Sequence, residues 1–228
     1  DIMSKSESVI ILVNYNSWKD TLECIASLSL IKIRRFSVIV VDNCSIDDSY
    51  MKLKEELIKY PFVVLLKSEF NGGFAKGNNI AISYARKNIK PQYIWLLNND
   101  TIIKDDALSP LIQFLESNRD VGIVGSKLLY FLNQDTIQAI GGRFNKWYGK
   151  MKIIGFNEKD DAQFNDFDEP LDFVIGASIL IHESFIQKVG LMNEEYFLYF
   201  EEIDWSLSCL LYTSDAADDS LRVDLGGR

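Results

Sequence analysis

The segment Tyr93–Thr101 (YIWLLNNDT) constrains the fold more than any other part of this chain. It begins as an apolar run, as in a strand buried on both faces, and it stops on Asn98, Asn99 and Asp100. In open α/β sheets, ligands bind in the crevice beyond the carboxyl ends of the strands. Asp100 is therefore a candidate metal ligand, because Mg²⁺ typically takes one or two carboxylates plus substrate phosphates. For this segment alone, a simple turn is the alternative.

The first half of the chain alternates predicted strands and helices. Continuous apolar runs predict buried strands at Val9–Asn14, Phe36–Val41, Phe62–Leu66 and Tyr93–Leu97. Helical spacing predicts helices from Asp20 to about Leu30, from Asp47 or Asp48 to Lys59, and from about Asn78 to Lys87. This alternation implies a mainly parallel sheet with right-handed crossovers.

The second half has a different pattern. It predicts a helix at 106–118, a strand at Val121–Leu129, antiparallel strands or a covering flap at Gln138–Phe156, an acidic mobile loop at Asn157–Pro170, a strand at Asp172–His182 and a helix at Ser184–Val189. The only histidine, His182, is expected to be a structural residue at a strand end. Leu210–Arg228 lacks helix or strand periodicity and resembles a translated cloning adapter, so we expect one domain over 1–209 and a non-native tail over 210–228. A genuine disordered tail is the alternative.

Charge and cysteine content exclude some classes of protein. A net charge of −9 argues against a general nucleic-acid binder, because neutralising phosphates requires a basic surface. The three scattered cysteines indicate reduced thiols rather than a disulfide framework. The sequence has no recognisable signal peptide and no apolar run of about 20 residues, the length that spans a bilayer. A cytoplasmic protein is the expectation.

Polar side chains follow three of the predicted strands. The clusters are Asn14-Tyr15-Asn16, Asp42-Asn43-Cys44-Ser45 and Asn98-Asn99-Asp100. Because the carboxyl ends of parallel strands share one edge of the sheet, these clusters are expected to converge in a ligand crevice. Asp42 is well placed there to accept hydrogen bonds from a ribose or a base.

The segment Asn71–Asn79 (NGGFAKGNN) predicts a glycine-rich loop before a helix whose N-terminus favours anions. Gly72 and Gly77 have the spacing of a P-loop, but asparagines follow where Lys and Ser or Thr would grip phosphate and magnesium, which excludes that class of ATPase. The first strand is not followed by GxGxxG, which argues against a nicotinamide dehydrogenase. Lys76 either neutralises a diphosphate or is a solvated loop lysine.

A carboxylate cluster lies near the end of the chain. Glu201, Glu202 and Asp204 lie within four positions, next to aromatic residues. If they are buried, desolvation and like charge raise the pKa of at least one of them, which suits a general base. The alternative is the exposed start of an amphipathic helix, where the helix dipole favours acids.

Together these segments resemble the family 2 glycosyltransferases with the GT-A fold, of the bacterial rhamnosyltransferase-like group. The matching segments, in order, are VIILVNYN, VVDNCSIDDS, NGGFAKGNNIAI, WLLNNDT, VIGASILIHES and FLYFEEIDW. The resemblance implies an α/β fold with a mainly parallel central sheet flanked by helices. It also implies a Rossmann-like nucleotide-binding half over about 8–104 and a truncated acceptor and catalytic half, with a smaller mixed sheet, over about 105–209.

The resemblance implies inverting transfer of a sugar from a nucleotide diphosphate sugar to an acceptor hydroxyl in cell-surface polysaccharide synthesis. It favours dTDP-rhamnose as the donor and a glycan or lipid-linked acceptor, with peripheral contact at the inner face of the cell membrane and no nucleic acid partner. A divalent cation, Mg²⁺ or Mn²⁺, is implied as the cofactor. Asp100 would be the surviving carboxylate of the family's Asp-x-Asp metal motif.

The family's motifs also imply roles for the other clusters. Glu202 falls where the family usually has the Asp of a Glu-Asp pair, so the catalytic base is Glu202 or Glu201. The acceptor pocket is expected to include the Gln138–Phe156 region. The implied substrate-binding residues are Asn14, Tyr15, Asn16, Asp42, Asn43, Asn71, Gly72, Gly73, Lys76, Asn78, Asn98, Asn99, Gly176 and Ala177.

Two departures from the family pattern keep other functions open. Glu202 is one methylene longer than the usual aspartate, and the tail at 210–228 replaces a region that commonly supplies a metal-binding histidine. A nucleotide-sugar-binding module without turnover is one alternative. The other is a sugar nucleotidyltransferase, although the residues after the first strand lack the glycine- and arginine-rich loop typical of that class.

Overall fold

The computed structural model of the chain describes residues 7–31, 35–104, 106–165, 171–214 and 222–225. These residues form two compact units. The first unit takes the described residues up to Ser109 together with Leu191–Glu201, and the second takes Pro110–Gly190 and the described residues from Glu202 onwards. The segment Leu191–Glu201 thus packs with the first unit, whereas the sequence divided the chain near residue 104.

Four parallel strands form the sheet of the first unit. They are β1 (Ser8–Asn14), β2 (Phe36–Asp42), β3 (Val63–Lys67) and β4 (Tyr93–Leu97), in the spatial order β4-β1-β2-β3. The register sets Asn14 directly opposite Asp42. β1, β2 and β4 are almost entirely buried, because their apolar runs leave no face for water. The four predicted strands and their parallel order are confirmed.

Three helices connect these strands, and two of them begin earlier than predicted. They are α1 (Trp18–Leu28), α2 (Ser49–Glu56), which continues as a 3-10 turn over Leu57–Lys59, and α3 (Gly73–Asn88). Asp20 lies in the first turn of α1 rather than at its cap, where Ser17 stands. The glycine-rich loop predicted ahead of a helix at about Asn78 is wrong from Gly73 onwards, because α3 already begins there. Gly77 instead serves packing: a Cβ there would lie 2.7 Å from Val13 Cγ1.

The second unit has a mixed sheet. α4 (Leu108–Ser117) leads into it, β5 (Val121–Gly125) pairs antiparallel with β10 (Ser178–His182), and β11 (Arg222–Leu225) pairs parallel with β5. The single strand predicted at Val121–Leu129 is wrong. β6 (Leu128–Leu129) separates from β5 and pairs with β7 (Ile137–Ala139) in a sheet of its own.

The strand predicted at Asp172–His182 forms only over its last residues. Ahead of β10 the chain leaves the sheet, and Phe173 makes an isolated bridge to Gly142. The Phe173 ring occupies the space beside Gly142, where a Cβ would approach it to 2.2 Å. Glycine at 142 therefore leaves room for the Phe173 ring beside this bridge.

β8 (Gly141–Asn145) and β9 (Lys150–Ile154) form an antiparallel hairpin, which confirms the antiparallel strands predicted within Gln138–Phe156. His182 caps α5 (Glu183–Val189), because its Nδ1 accepts from the backbone N–H of Ser184 at 3.1 Å. The structural role predicted for His182 is confirmed. None of the helices in the described parts of the chain has the length and apolarity that crossing a membrane requires.

The end of the chain differs from expectation. α6 (Glu201–Ser214) continues past Leu210, and β11 is a strand, so the absence of regular structure predicted for 210–228 is wrong for these parts. Residues 215–221 and 226–228 lie outside the described residues, as do 166–170 of the predicted acidic loop. The non-native origin of 210–228 stays a prediction.

Candidate active site

The ends of β1 and β2 are joined by a buried hydrogen-bond network centred on Asn14. Asn14 and Asp42 are fully buried. Asn14 Nδ2 donates to Asp42 Oδ2 at 2.9 Å and to Ser45 Oγ at 3.2 Å, and its Oδ1 accepts from Thr21 Oγ1 at 2.8 Å. Asp42 also accepts from the backbone N–H and the hydroxyl of Ser45, at 3.1 and 2.6 Å. Fixed donors thus compensate for the burial of this carboxylate.

The loops that follow these two strands are tied together as well. The backbone N–H of Asn16 donates to Ser45 Oγ at 2.9 Å, and Asn16 Oδ1 accepts from the N–H of Ile46 at 2.9 Å. Asn16 and Cys44 have left-handed backbone conformations, with φ of 55° and 60°. Such conformations cost energy in non-glycine residues and persist where the surroundings enforce them. Tyr15, beside them, keeps 41% of its surface exposed.

The end of β4 joins the same network through Thr21. Asn99 Nδ2 donates to Thr21 Oγ1 at 2.9 Å and to Ser17 Oγ at 2.7 Å. The Thr21 hydroxyl therefore links Asn99 to Asn14. The three strand-end clusters lie together, as the sequence predicted. Ser17 and Thr21 were not predicted, because nothing in a helical sequence marks the hydroxyls that turn towards a strand end.

The end of β4 also offers oxygen atoms suited to a hard cation. Asp100 is exposed at this tip. Both hydrogen bonds of Asn99 use its amide nitrogen, which leaves its carbonyl oxygen to accept a donor or bind a cation. Among the described residues there is no group of three or more His, Cys, Asp or Glu side chains that could hold a metal by itself. These residues fit a cation such as Mg²⁺, which takes one or two carboxylates and completes its shell with phosphate oxygens.

Cys24 lies beneath this tip and is not a nucleophile. Its Sγ lies 3.8 Å from Thr101 Oγ1 and 3.9 Å from the carbonyl oxygen of Asn98. The pKa of the Cys24 thiol is raised to about 12, mainly by burial. The hydrogen bond with Thr101 lowers this pKa, and the nearby charge of Asp100 contributes to raising it. A thiol with this pKa stays protonated at neutral pH and acts in packing.

The end of β2 is bound to the start of α3 through Asn43. Its Nδ2 donates to Asn71 Oδ1 at 2.9 Å and to the Gly73 carbonyl at 3.0 Å, while the N–H of Gly73 donates to Asn71 Oδ1 at 3.0 Å. Gly72 is the N-cap residue of α3. The buried Oδ1 of Asn43 has no hydrogen-bond partner within the described chain. A buried acceptor of this kind calls for a donor from water or from a ligand.

Side chains of α3 bind the segment Leu191–Glu201 through hydrogen bonds and an ion pair. Asn79 donates from Nδ2 to the Met192 carbonyl at 2.9 Å and accepts the Met192 N–H on Oδ1 at 3.1 Å, so its amide binds that backbone as a neighbouring strand would. Glu194 accepts from Asn79 at 3.0 Å and pairs with Lys76 Nζ at 2.9 Å. The hydrogen bond from Asn79, followed by that from Lys76, lowers the pKa of Glu194.

Lys76 and Asn78 therefore have neighbours that the sequence did not indicate. Lys76 lies on α3 rather than in a loop, and its ammonium group stands 5.2 Å from the centre of the Phe70 ring in addition to its ion pair with Glu194. Asn78 is buried, and its Nδ2 donates to the Phe74 carbonyl within α3 at 3.0 Å. In this structure both side chains bind protein groups of the first unit.

A strained turn joins this segment to the carboxylate cluster. The N–H of Phe74 donates to the Phe197 carbonyl at 3.0 Å, and a Cβ on Gly73 would collide with that oxygen at 1.8 Å, so only glycine fits at 73. Tyr199 and Phe200 then have φ of 70° and 71°. Two successive left-handed aromatic residues are costly, which is typical of turns that position functional groups.

The two carboxylates that follow have different surroundings. Glu201 belongs to the first unit and is 3% exposed, and its Oε2 has no hydrogen-bond partner among the residues described. Burial raises the pKa of Glu201, against a smaller lowering by the N–H groups of Glu201 and Tyr199. A carboxylate whose pKa is raised in this way is suited to accept a proton near neutral pH.

Glu202 belongs to the second unit, in the first turn of α6, where the helix dipole favours a negative charge. Its Cγ and Cδ lie 3.7 Å from the point where a Cβ on Gly176 would stand, so Gly176 and Glu202 are neighbours. Ala177 is half-buried beside Gly176. The indole N–H of Trp205 donates to the Gly190 carbonyl at 3.1 Å and anchors this turn of α6.

Comparison with protein families gives one match over most of the chain. The model of the family described as "Glycosyl transferase family 2" matches residues 9–187. This range includes every strand-end cluster and ends before the carboxylate pair.

The curated proteins that are similar in sequence include two glycosyltransferases with long matches. The low-salt glycan biosynthesis hexosyltransferase Agl10 of Haloferax volcanii is 25% identical over 86% of this chain and 59% of its own length. The dTDP-rhamnosyl transferase RfbF of Shigella flexneri is 24% identical over 89% of this chain and 62% of its own length. The chain therefore spans about three-fifths of the length of these relatives.

A solved structure shows the fold. The mannosyltransferase PcManGT of Pyrobaculum calidifontis, in complex with GDP-Man and Mn²⁺, matches with a TM-score of 0.65 and 12% identity over 99% of this chain and 57% of its own. At this identity the likeness concerns the fold alone, which is the GT-A fold of glycosyltransferases, as the sequence predicted.

Proposed function

Because the chain belongs to glycosyl transferase family 2, we propose that it transfers a sugar from a nucleotide diphosphate sugar to an acceptor hydroxyl in the synthesis of a cell-surface polysaccharide. The observation that carries this proposal is the buried network of Asn14, Asp42 and Thr21, extended to Asn99 at the end of β4. This network fixes the ends of β1, β2 and β4 at the carboxyl edge of a parallel sheet, where open α/β folds bind nucleotides.

The proposed donor is a nucleotide diphosphate sugar of the dTDP-rhamnose type. The name of RfbF supports rhamnose and dTDP, and that of Agl10 supports a hexose. The nucleoside is assigned to Asn14, Tyr15, Asn16 and Asp42. The residues proposed to flank the nucleotide and its diphosphate are Asn43, Asn71, Gly72, Gly73, Lys76, Asn78, Asn98 and Asn99.

A divalent cation, Mg²⁺ or Mn²⁺, is proposed as the cofactor. Asp100 would hold it, with the carbonyl oxygen of Asn99 alongside, and a bound cation would supply positive charge against the diphosphate. The Mn²⁺ in the complex of PcManGT supports this assignment. The Asp100 carboxylate is exposed at the strand end, where a ligand that brings phosphate oxygens can reach it.

Glu202 is the proposed catalytic base, with Glu201 as the alternative. In a single inverting step, the base takes the proton of the acceptor hydroxyl, whose oxygen bonds to the anomeric carbon while the bond from that carbon to the diphosphate oxygen breaks. The short distance from Glu202 to Gly176 supports an acceptor pocket that includes Gly176 and Ala177. The raised pKa of Glu201 supports the alternative assignment.

The acceptor is proposed to be a glycan or a lipid-linked sugar, and the site of action the cytoplasmic face of the cell membrane. The names of both relatives refer to the assembly of glycans or to rhamnosyl transfer, which supports an acceptor of this class.

The test is a transfer assay with dTDP-rhamnose that measures release of the nucleoside diphosphate. Glu202→Gln should lower kcat by roughly a hundredfold or more, because amide cannot accept the proton. It should leave the affinity for the nucleoside diphosphate unchanged. Glu201→Gln is the matched variant, and a larger loss there would move the base to Glu201.

Two results would overturn the proposal. Pyrophosphate released from a sugar phosphate and a nucleoside triphosphate would indicate a nucleotidyltransferase. Tight binding of the donor without turnover, with a panel of glycan and lipid-linked acceptors, would indicate a nucleotide-sugar-binding module.

A further inference from the structure

The hairpin of β8 and β9 presents two large aromatic side chains to solvent. Trp147 and Tyr148, at its tip, are 88% and 78% exposed. The tip is ordered by Asn145, whose Oδ1 accepts from the N–H groups of Trp147 and Tyr148 at 3.1 and 3.2 Å. The following Gly149 has a φ of 61° and completes the turn. The exposure of the two rings is therefore a property of a folded turn.

One face of the same hairpin is cationic. The antiparallel register sets Arg143 opposite Lys152 and Asn145 opposite Lys150, so three cations share one face, and Lys146 follows in the turn. Lys146, Lys150 and Lys152 form no ion pair with any carboxylate in the described parts of the chain.

The concentration of positive charge is local. Residues 143–152 (RFNKWYGKMK) contain four Lys or Arg and no Asp or Glu, whereas the whole chain has a net charge of −9. The opposite face of the hairpin carries Phe144 opposite Met151, which is 47% exposed. The hairpin thus combines a cationic face, an exposed methionine and an aromatic tip.

We propose that this hairpin docks the protein on a bilayer that contains anionic lipids. Tryptophan and tyrosine favour the headgroup region of a membrane, because their rings are apolar at one end and polar at the other. Lysine and arginine near the surface are attracted by anionic headgroups. This docking rests on the proposed function, in which the enzyme meets its acceptor at a membrane. The hairpin is then the element that contacts the bilayer.

Other partners fit these observations less well. A neutral glycan would explain the aromatic rings through stacking but leaves the lysines of the cationic face, Lys150 and Lys152, unexplained. A nucleic acid would require a wider basic surface than one hairpin in a chain whose net charge is −9. A bilayer uses all three features together, because it offers negative charge beside an apolar layer.

The test is co-sedimentation of the protein with vesicles. Vesicles of phosphatidylcholine and phosphatidylglycerol should bind the protein, and vesicles of phosphatidylcholine alone should bind it weakly. The double substitution Lys150→Gln and Lys152→Gln should weaken binding to the anionic vesicles roughly 30-fold. The matched control, Lys54→Gln with Lys87→Gln, makes the same change in net charge at exposed lysines elsewhere and should weaken it far less.

The aromatic tip gives a second measurement. Trp147→Ala with Tyr148→Ala should weaken binding to the anionic vesicles, and circular dichroism should show that the variant is folded, since both rings are exposed. Equal weakening by both lysine pairs, or no binding to anionic vesicles, would overturn the proposal. A preference for RNA over anionic vesicles would also overturn it.

Membrane docking and sugar transfer can be tested separately. Binding of nucleoside diphosphates is measured in solution, without lipid. Nucleotide binding without vesicle binding refutes docking alone, and vesicle binding through the hairpin without nucleotide binding or transfer refutes the proposed transferase alone.

Discussion

Among single residues, Thr21 shows how one small hydroxyl can hold two strand ends together. It donates to Asn14 and accepts from Asn99, and it is fully buried. Thr21→Val keeps the shape but removes both bonds, which leaves the buried Oδ1 of Asn14 without this donor, whereas Asn99 keeps its bond to Ser17. We expect a loss of about 1–3 kcal/mol in the free energy of unfolding, measured in urea. Thr21→Ser retains the hydroxyl and should retain most of the stability, whereas equal losses would show that packing dominates at 21.

Glu201 makes stability depend on pH. Burial raises its pKa in the folded chain above the value in the unfolded chain. Between these two values the folded chain holds a proton that the unfolded chain has released, so the free energy of unfolding falls as pH rises through this window. The effect is absent below the unfolded pKa and complete above the folded one. Urea unfolding at a series of pH values measures this fall, and Glu201→Gln should remove it. If the free energy of unfolding depends on pH in the same way in Glu201→Gln as in the unchanged protein, Glu201 is not its source.

The three cysteines should differ in reactivity. Burial raises the pKa of Cys24 and of Cys209 to about 12, so neither forms an appreciable amount of thiolate at neutral pH. Cys44 is half-buried and follows Asp42 and Asn43. Iodoacetamide should therefore label Cys44 first, as read by mass spectrometry, and a bound nucleoside diphosphate should slow this labelling. Labelling of Cys44 at the same rate with saturating nucleotide would argue against a nucleotide beside β2.

At the scale of elements, α3 shows where a sequence pattern has two meanings. The glycines at 72, 73 and 77 predicted a loop in front of an anion-binding helix N-terminus, but Gly73 and Gly77 lie in the helix. Gly73 lies against the Phe197 carbonyl and Gly77 against Val13, so both glycines serve close packing. The sequence cannot separate these meanings, because the partner of Gly73 lies more than a hundred residues away.

Gly77→Ala tests this packing. In an exposed helix the change would stabilise by roughly 0.5–1 kcal/mol. Here the new methyl group meets Val13 Cγ1 at 2.7 Å, so we expect a net loss of about 1–3 kcal/mol in urea unfolding. Val13→Ala in the same chain should recover part of that loss. A stabilised single variant would show that β1 and α3 adjust freely.

Some strands can be predicted from the local sequence, whereas the ends of others depend on distant residues. β1, β2 and β4 follow from continuous apolar runs, which are sufficient for strands covered on both faces. The run at Val121–Leu129 is also apolar, yet it breaks into β5 and β6 because Leu128 pairs with Ala139. The run before β10 is interrupted where Phe173 pairs with Gly142. Composition fixes whether such runs are buried, but the pairing partner decides where each strand ends.

At the scale of the whole molecule, the parallel order of the strands made much of the candidate site predictable. Asn14, Asp42 and Asn99 could be brought together from sequence, because adjacent parallel strands end at one edge. The two hydrogen bonds between the Asn79 amide and the Met192 backbone could not be predicted, since an asparagine inside a helix carries no signal of a partner so distant in sequence. The cationic face of the β8–β9 hairpin appeared only with the register of its strands.

Calorimetric titration of the chain with the nucleoside diphosphates dTDP, UDP and GDP, with and without Mn²⁺, shows whether it binds a nucleotide together with a metal ion. We expect that one of the three binds, that Mn²⁺ strengthens its binding, and that Asp100→Ala removes this strengthening. The unfolding curve of Asp100→Ala should be unchanged, because Asp100 is exposed. Binding that is the same with and without Mn²⁺ and in Asp100→Ala, or the absence of binding by any of the three, would contradict this expectation.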